Sequence, residues 1–321
     1  MEEIFRFTVN GEERECRTEQ PLLRYLRDEL RLTSVKDGCS EGACGTCTII
    51  IDGKAVRSCI MSTKKAAGKN IITTEGLSLR EKEAFVYAFG RAGAVQCGFC
   101  IPGMVMSAKA LIDQNPAPTE EIKKAIRGNI CRCTGYKKII EGIDLAARIL
   151  RGELEIDEAV EEGERGYAVG DSAFRVDVRE KVLGEGEYVD DVVMPGMLYG
   201  GAVRTEYPRA RIVKIDTEGA RALPGVVCIL KAEDVPRNKV GHIQQDWDVM
   251  IAEGDITRCI GDALCLIAAE SPLILEEAKK LVKVEYEVLP LVHNIHEAMA
   301  EGAPRIHENG NLCQKRHVTR G

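Results

Sequence analysis

No apolar run in this 321-residue chain approaches eighteen residues, so the sequence offers no membrane-spanning helix. Dense lysine or arginine stretches are missing too: Lys64-Lys65 and Lys137-Lys138 are isolated pairs, and the net charge is -7. A phosphate backbone would go unneutralised, which excludes a general nucleic-acid binder. The opening MEEIFRFTVNGEE is acidic and soon polar, unlike a signal or transit peptide, so a cytoplasmic location is expected. No internal repeat or low-complexity tract occurs. Histidine is scarce, and although His293 and His296 form an H-x2-H pair, no carboxylate or cysteine stands at metal spacing beside them. The single tryptophan, Trp247, reads as a core or interface aromatic.

Cysteine is what the chain has in quantity. Thirteen cysteines in a reducing compartment point to metal or cluster ligation rather than to disulfides. Eight of them fall into two tight groups, leaving Cys16, Cys228, Cys259, Cys265 and Cys313. Cys228 and Cys265 lie in apolar strands and read as small buried thiols, with Cys16 and Cys259 also structural.

IFRFTV alternates at period two, and Asn10-Gly11 closes a tight hairpin. Pro21 then precedes Leu22, Leu23, Leu26 and Leu30, an apolar stripe at helical spacing. A second hairpin is expected around Asp52-Gly53, with Cys59 ending its second strand. The order β-β-α-loop-β-β suits a small α+β unit over residues 1–76. SLRE at 78–81 is a capping box, and three further helical stretches start near Pro102, Thr119 and Thr134, giving a four-helix unit over residues 77–152. Residues 153–175 open with the acidic ELEIDEAVEEGE, expected to be a solvated linker. The second half returns to strands in RVDV, LYGGAV, ARIVKID, VVCIL, ALCLIAA and VKVEYEV, with a helix from Ser271-Pro272 to Leu281 that suggests a βαβ-like or α/β packing unit.

The first cysteine group reads C-x4-C-x2-C through Cys39, Cys44 and Cys47, with Cys59 as the fourth thiol. This is the plant-type 2Fe-2S ligand spacing. A rhombic cluster takes two thiolates per iron, and a curled loop containing Gly42 and Gly45 lets backbone amides turn toward the inorganic sulfides. Zinc knuckles favour C-x2-C pairs instead. The second group, Cys97-Gly-Phe-Cys100 and Cys131-Arg-Cys133, places each pair just ahead of a predicted helix. Two helix N-termini directed at one anion suit a thiolate-rich cluster. By spacing alone, a zinc site remains open for this group.

GCSEGACGTCTI followed by RSCI, then QCGFCIPGMVMSAKAL and GNICRCTGYKKIIEGI, resemble the iron-sulfur region of the molybdenum hydroxylases, the xanthine dehydrogenase and aldehyde oxidoreductase family. GEGEYVDDVVMPGMLYGGAVRTEYPRARI, LPGVVCILKAEDVP and AAESPLILEEAKKLVKVEYEVLP resemble the same family's α/β hammerhead domain. The resemblance covers nearly all of residues 1–298 and implies a multidomain α+β chain. Its parts are a β-grasp 2Fe-2S ferredoxin domain (1–76), a four-helix 2Fe-2S-binding domain (77–152), the acidic linker, the hammerhead (176–298), and a tail (299–321) leading toward a molybdopterin domain expected beyond this sequence. It resolves the second group as a second cluster, so the implied metal ligands are Cys39, Cys44, Cys47 and Cys59, then Cys97, Cys100, Cys131 and Cys133.

The same resemblance implies that Gln96 and Cys133 contact the pterin and that the first cluster faces the acceptor. No flavin domain separates the helical domain from the hammerhead, so flavin, if used, sits on a partner subunit, and a ferredoxin-type acceptor is the other choice. The expected function is the electron-transfer portion of an oxidoreductase, passing electrons from a molybdenum-pterin site on a further domain or subunit through two 2Fe-2S clusters. This chain by itself is expected to lack the hydroxylation site and the pterin-binding segments. Purine, aldehyde and N-heterocycle substrates all suit the family. A stand-alone two-cluster carrier and a zinc-stabilised interaction protein are the alternative readings.

Overall fold

The computed structural model describes residues 4–156, 169–170, 173–242, 245–307 and 309–321, and the chain divides into two compact units, Met1–Val192 and Val193–Gly321. Most of the acidic stretch expected as a linker lies outside the described residues.

The first unit opens with the antiparallel pair β1 (Phe5–Val9) and β2 (Glu12–Cys16). Phe5, Phe7 and Val9 are buried, as their alternation predicts, and Asn10 and Gly11 take φ of 52° and 86°, the positive values that a type I′ turn requires. Leu22, Leu23 and Leu26 are buried, yet regular helix lasts only through Leu22–Arg24 (α1) before a π-turn over Tyr25–Glu29. The widened turn lets the Tyr25 ring meet Phe7 edge-on at 5.3 Å and its hydroxyl donate to the Glu15 carbonyl at 3.1 Å. Tertiary packing thus overrides the helical stripe.

β3 (Thr48–Ile51) and β4 (Lys54–Arg57) form the second hairpin, and Cys59 sits just past β4 in a 3-10 turn, Ser58–Ile60, rather than in the strand. A three-residue strand too short to carry a periodic signal, β5 (Asn70–Ile72), inserts parallel to β1 and antiparallel to β3. The resulting order β2-β1-β5-β3-β4 closes a mixed five-stranded sheet over the π-turn.

Four helices follow: α2 (Leu79–Arg91), α3 (Ile101–Gln114), α4 (Glu121–Ile126) and α5 (Tyr136–Leu150). The capping box on α2 forms, with the Glu81 N–H donating to Ser78 Oγ and the Ser78 N–H to the Glu81 carboxylate at 2.8 Å. Ser78→Ala is expected to cost about 1 kcal/mol, read as a small fall in the thermal midpoint. Phe85, Phe89, Ile101, Met104, Ile139 and Ile143 build the helical core, and α3 also packs on β3. RVDV is not a strand: residues 178–183 form a helix whose Val178, Val182 and Leu183 enter that same core. Their spacing over six residues is helical, a period that a four-residue window cannot display.

In the second unit β6 (Tyr199–Arg204), β11 (Ala263–Ala269) and β8 (Val226–Leu230) form one antiparallel sheet, β7 (Ala210–Asp216) pairs with β12 (Lys283–Val288) in another, and the two-residue strands β9 (Lys239–Val240) and β10 (Trp247–Asp248) pair with each other. The helix Pro272–Leu281 therefore joins strands of different sheets, which rules out a βαβ unit there. Cys265 on the central strand is fully buried, whereas Cys228 on edge strand β8 is exposed, against the expectation of a buried thiol. Among the described residues no helix is long and apolar enough to cross a membrane.

Candidate metal centres

The loop joining the π-turn to β3 carries Cys39, Cys44 and Cys47, and left-handed residues curl it: Ser40, Gly42 and Gly45 have φ of 53°, 75° and 70°. The Cys44 N–H donates to Cys39 Sγ at 3.4 Å, and the Cys39 and Cys44 side chains interact. Ser58 donates from both its N–H (3.2 Å) and its Oγ (2.9 Å) to the Cys47 carbonyl, which brings the Cys59 turn beside Cys47 so that those two thiols pair. The four thiols thus stand as Cys39 with Cys44 and Cys47 with Cys59. The Cys44 and Glu41 amides pull the Cys39 thiol down to about 7, while burial and Cys47 push Cys59 up to about 12.

In the second group Cys100 is the residue capping α3, and Gly135, with φ of 78°, leads into α5. Each cysteine pair precedes a helix, as its sequence position predicts. Cys97 Sγ and Cys133 Sγ lie 3.5 Å apart, and the Cys100 and Cys131 thiols interact with each other. The pairing crosses between the motifs, one thiol from each. Burial, with Cys131 beside it, pushes the Cys100 thiol up; burial opposes but does not outweigh the Thr134 and Cys133 amides that hold Cys131 below its ordinary value. Tyr136 Oη accepts from the Cys131 N–H (3.2 Å) and donates to the Asn129 carbonyl (3.0 Å), which fixes the loop between the groups.

The two loops touch backbone to backbone. The Ile130 N–H donates to the Cys44 carbonyl at 2.8 Å, and Asn129 Nδ2 donates to the Gly45 carbonyl at 2.9 Å while its Oδ1 accepts from Ser107 Oγ at 2.9 Å. Arg57 donates to the carbonyls of Gly42 and Gly128, one in each loop. A Cβ on Gly45 would sit 2.2 Å from the Gly128 oxygen, and one on Gly103 would sit 2.6 Å from the Thr46 oxygen. Only glycine permits this approach.

Two pairs of thiols, ringed by inward-turned amides, suit two irons bridged by sulfide, with two thiolates on each. Among the described residues no three His, Cys, Asp or Glu side chains converge on a single-ion position. At the outer edge of the second group Gln96, Cys97 and Cys133 are exposed, while Cys100 is buried. No spacing rule marks Asn129, Tyr136, Arg57 or Gly103 in the sequence; an uncharged amide directly before Ile130-Cys131 is the one signal that could point to Asn129.

The chain matches the family model of a 2Fe-2S iron-sulfur cluster binding domain over residues 7–73 and that of a second [2Fe-2S] binding domain over residues 73–144. It also matches the aldehyde oxidase and xanthine dehydrogenase a/b hammerhead domain over residues 183–290. The aldehyde oxidoreductase of Megalodesulfovibrio gigas is 35% identical over 319 residues, covering 94% of this chain. The chain spans 35% of that relative's length. The nicotinate dehydrogenase small FeS subunit of Eubacterium barkeri is 53% identical over 135 residues, 41% of this chain and 86% of that subunit. The solved aldehyde oxidoreductase of Desulfovibrio desulfuricans superposes with a TM-score of 0.85 at 34% identity, over 96% of this chain and 36% of that one. With its two 2Fe-2S binding domains and its hammerhead segment, this chain belongs to the molybdenum hydroxylase family.

Proposed function

We propose that this chain is the electron-transfer part of a molybdenum hydroxylase, carrying electrons from a molybdenum-pterin site on a further domain or partner subunit to an external acceptor. Cys39, Cys44, Cys47 and Cys59 hold one 2Fe-2S cluster, and Cys97, Cys100, Cys131 and Cys133 hold the other. When bound, the two clusters supply one-electron centres between a two-electron hydroxylation and the acceptor. The observation that carries the reading is the hydrogen bond from the Ile130 N–H to the Cys44 carbonyl, which joins the two thiol groups through the proposed ligand Cys44 on one side and Ile130, the neighbour of Cys131, on the other.

Gln96 and Cys133, at the exposed edge of the second group, face the pterin, and Cys39 with its exposed neighbour Ser40 faces the acceptor, a flavin subunit or a ferredoxin-type protein. By resemblance the domains run over residues 1–76, 77–152 and 176–298, the last opening with a segment, 178–191, that packs within the first unit, and the protein works in the cytoplasm. Aldehydes, N-heterocycles and purines are the substrate classes that the relatives' names carry.

Anaerobic purification with iron, sulfide and zinc analysis tests this reading. About four irons and two distinct paramagnetic signals on reduction are expected. Stoichiometric zinc without visible absorption overturns it.

A further inference from the structure

Residues 178–191 follow the acidic stretch in sequence, yet they fold onto both thiol-bearing domains of the first unit. The helix Val178–Leu183 joins the helical core. Gly184 ends it with φ of 77°, where a Cβ would lie 2.5 Å from Ser34 Cα and 3.1 Å from Pro102 Cγ, so the strap threads the seam between the π-turn loop and α3. Asp191 closes the strap: its carboxylate accepts from Arg27 at 2.6 Å and Lys36 at 2.9 Å, all three side chains being buried. Arg31 adds a bond to the Asp191 carbonyl at 3.2 Å.

Between these anchors lies Tyr188. Its N–H donates to the Asp191 carboxylate at 3.1 Å, and its ring meets Phe99 edge-on at 5.1 Å. The Lys181 and Lys36 ammonium groups lie over the ring at 4.3 and 4.8 Å. The hydroxyl donates to the carbonyl of Cys97 at 2.6 Å. Every part of the ring is fixed, and its one free polar group is aimed at the backbone of the exposed thiol that pairs with Cys133.

We propose that Tyr188 is a positioning residue for the helical-domain centre, holding the Cys97 backbone so that its thiol stays in register with Cys133. This rests on the two-cluster reading above. The bond ends on the Cys97 carbonyl and not on its thiol, so the hydroxyl acts on the cluster through where it holds that sulfur. The reduction potential follows the placement and hydrogen bonding of the ligating sulfurs. Removing the hydroxyl should therefore shift the reduction potential of that centre and leave the other alone, because the bond reaches only the Cys97 loop.

The test is a redox titration of the full iron-loaded chain followed by electron paramagnetic resonance, with thermal unfolding alongside. Tyr188→Phe keeps the ring, its Phe99 contact and both cations while deleting one bond. The expected result is a shift in the midpoint potential of one signal only, with the second signal and the thermal midpoint unchanged. Tyr188→Leu, which also removes the ring, is expected to add a fall in the thermal midpoint to the same one-sided shift. Two intact signals whose potentials both ignore Tyr188→Phe overturn the proposal. An unsubstituted chain that shows no pair of signals overturns instead the two-cluster reading, and the proposal with it.

Discussion

Asp191→Ala is expected to destabilise the first unit by about 3–5 kcal/mol, the cost of leaving a buried charge without its partner. Two cations lose their counter-ion at once, since both Arg27 and Lys36 direct their donors at this carboxylate. Lys36 is the more exacting of the two: its residue is fully buried and burial lowers its pKa, so an unpaired ammonium there has no solvent to turn to. For a unit of this size the loss corresponds to a fall of roughly 6–20 °C in the thermal midpoint. Differential scanning calorimetry checks it, and a fall of less than about 2 °C contradicts the buried triad. Replacing Asp191 by leucine and both Lys36 and Arg27 by methionine should cost less than Asp191→Ala, because no lone charge is left behind.

The same triad sets a pH dependence. Burial opposes ionisation of Asp191, but the Lys36 and Arg27 hydrogen bonds prevail and hold its carboxyl below the ordinary range. Unfolding therefore takes up a proton as pH falls below the unfolded value of about 4. The stabilisation is full above that value and is lost as pH drops through the folded one. Lys36 acts at the other end, where its lowered pKa means that the unfolded chain holds more protons just below about 10.4 and stability rises with pH there. Asp191→Asn should flatten the acid limb of a plot of thermal midpoint against pH.

Gly45→Ala is expected to part the two thiol-bearing loops. The added Cβ would meet the Gly128 carbonyl oxygen at 2.2 Å, and backbone on both sides leaves no flexible group to yield. Overpacking of this kind costs about 1–3 kcal/mol. The left-handed φ of 70° adds roughly 1–2 kcal/mol for any residue with a Cβ. Separation would break the bonds from Ile130 to Cys44 and from Asn129 to Gly45. In the iron-loaded chain the expected signature is a weaker magnetic interaction between the two reduced centres, with each signal still present. An interaction equal to that of the unsubstituted chain would show that the loops need not touch there.

The local features were legible in the sequence because each rests on neighbours in the chain. Asn10-Gly11 forces its turn, Ser78 and Glu81 cap α2 reciprocally, and Cys39, Cys44 and Cys47 occupy one short loop. Spacing likewise put Cys97-Cys100 and Cys131-Cys133 at two helix starts. Less was legible where partners are distant or signals short. β5 has three residues, the stripe from Leu22 to Leu30 becomes a π-turn for the sake of Tyr25, and β12 chooses β7 rather than the strand before its helix.

The sequence by itself determined that eight cysteines gather in two short sets of motifs, since spacing is a property of contiguous residues, and its resemblance to the molybdenum hydroxylases supplied the family, which the family matches bear out. Only the tertiary structure decided how the thiols pair across motifs, that Asn129 and Gly45 weld the two loops, and that Tyr188 and Asp191 reach back to Cys97, Arg27 and Lys36. Lys36 and Asp191 are 155 residues apart and each looks like an ordinary surface charge in a linear reading. Folding brings them together, and burial, which no local pattern encodes, turns an exposed-looking pair into a strong constraint on the fold.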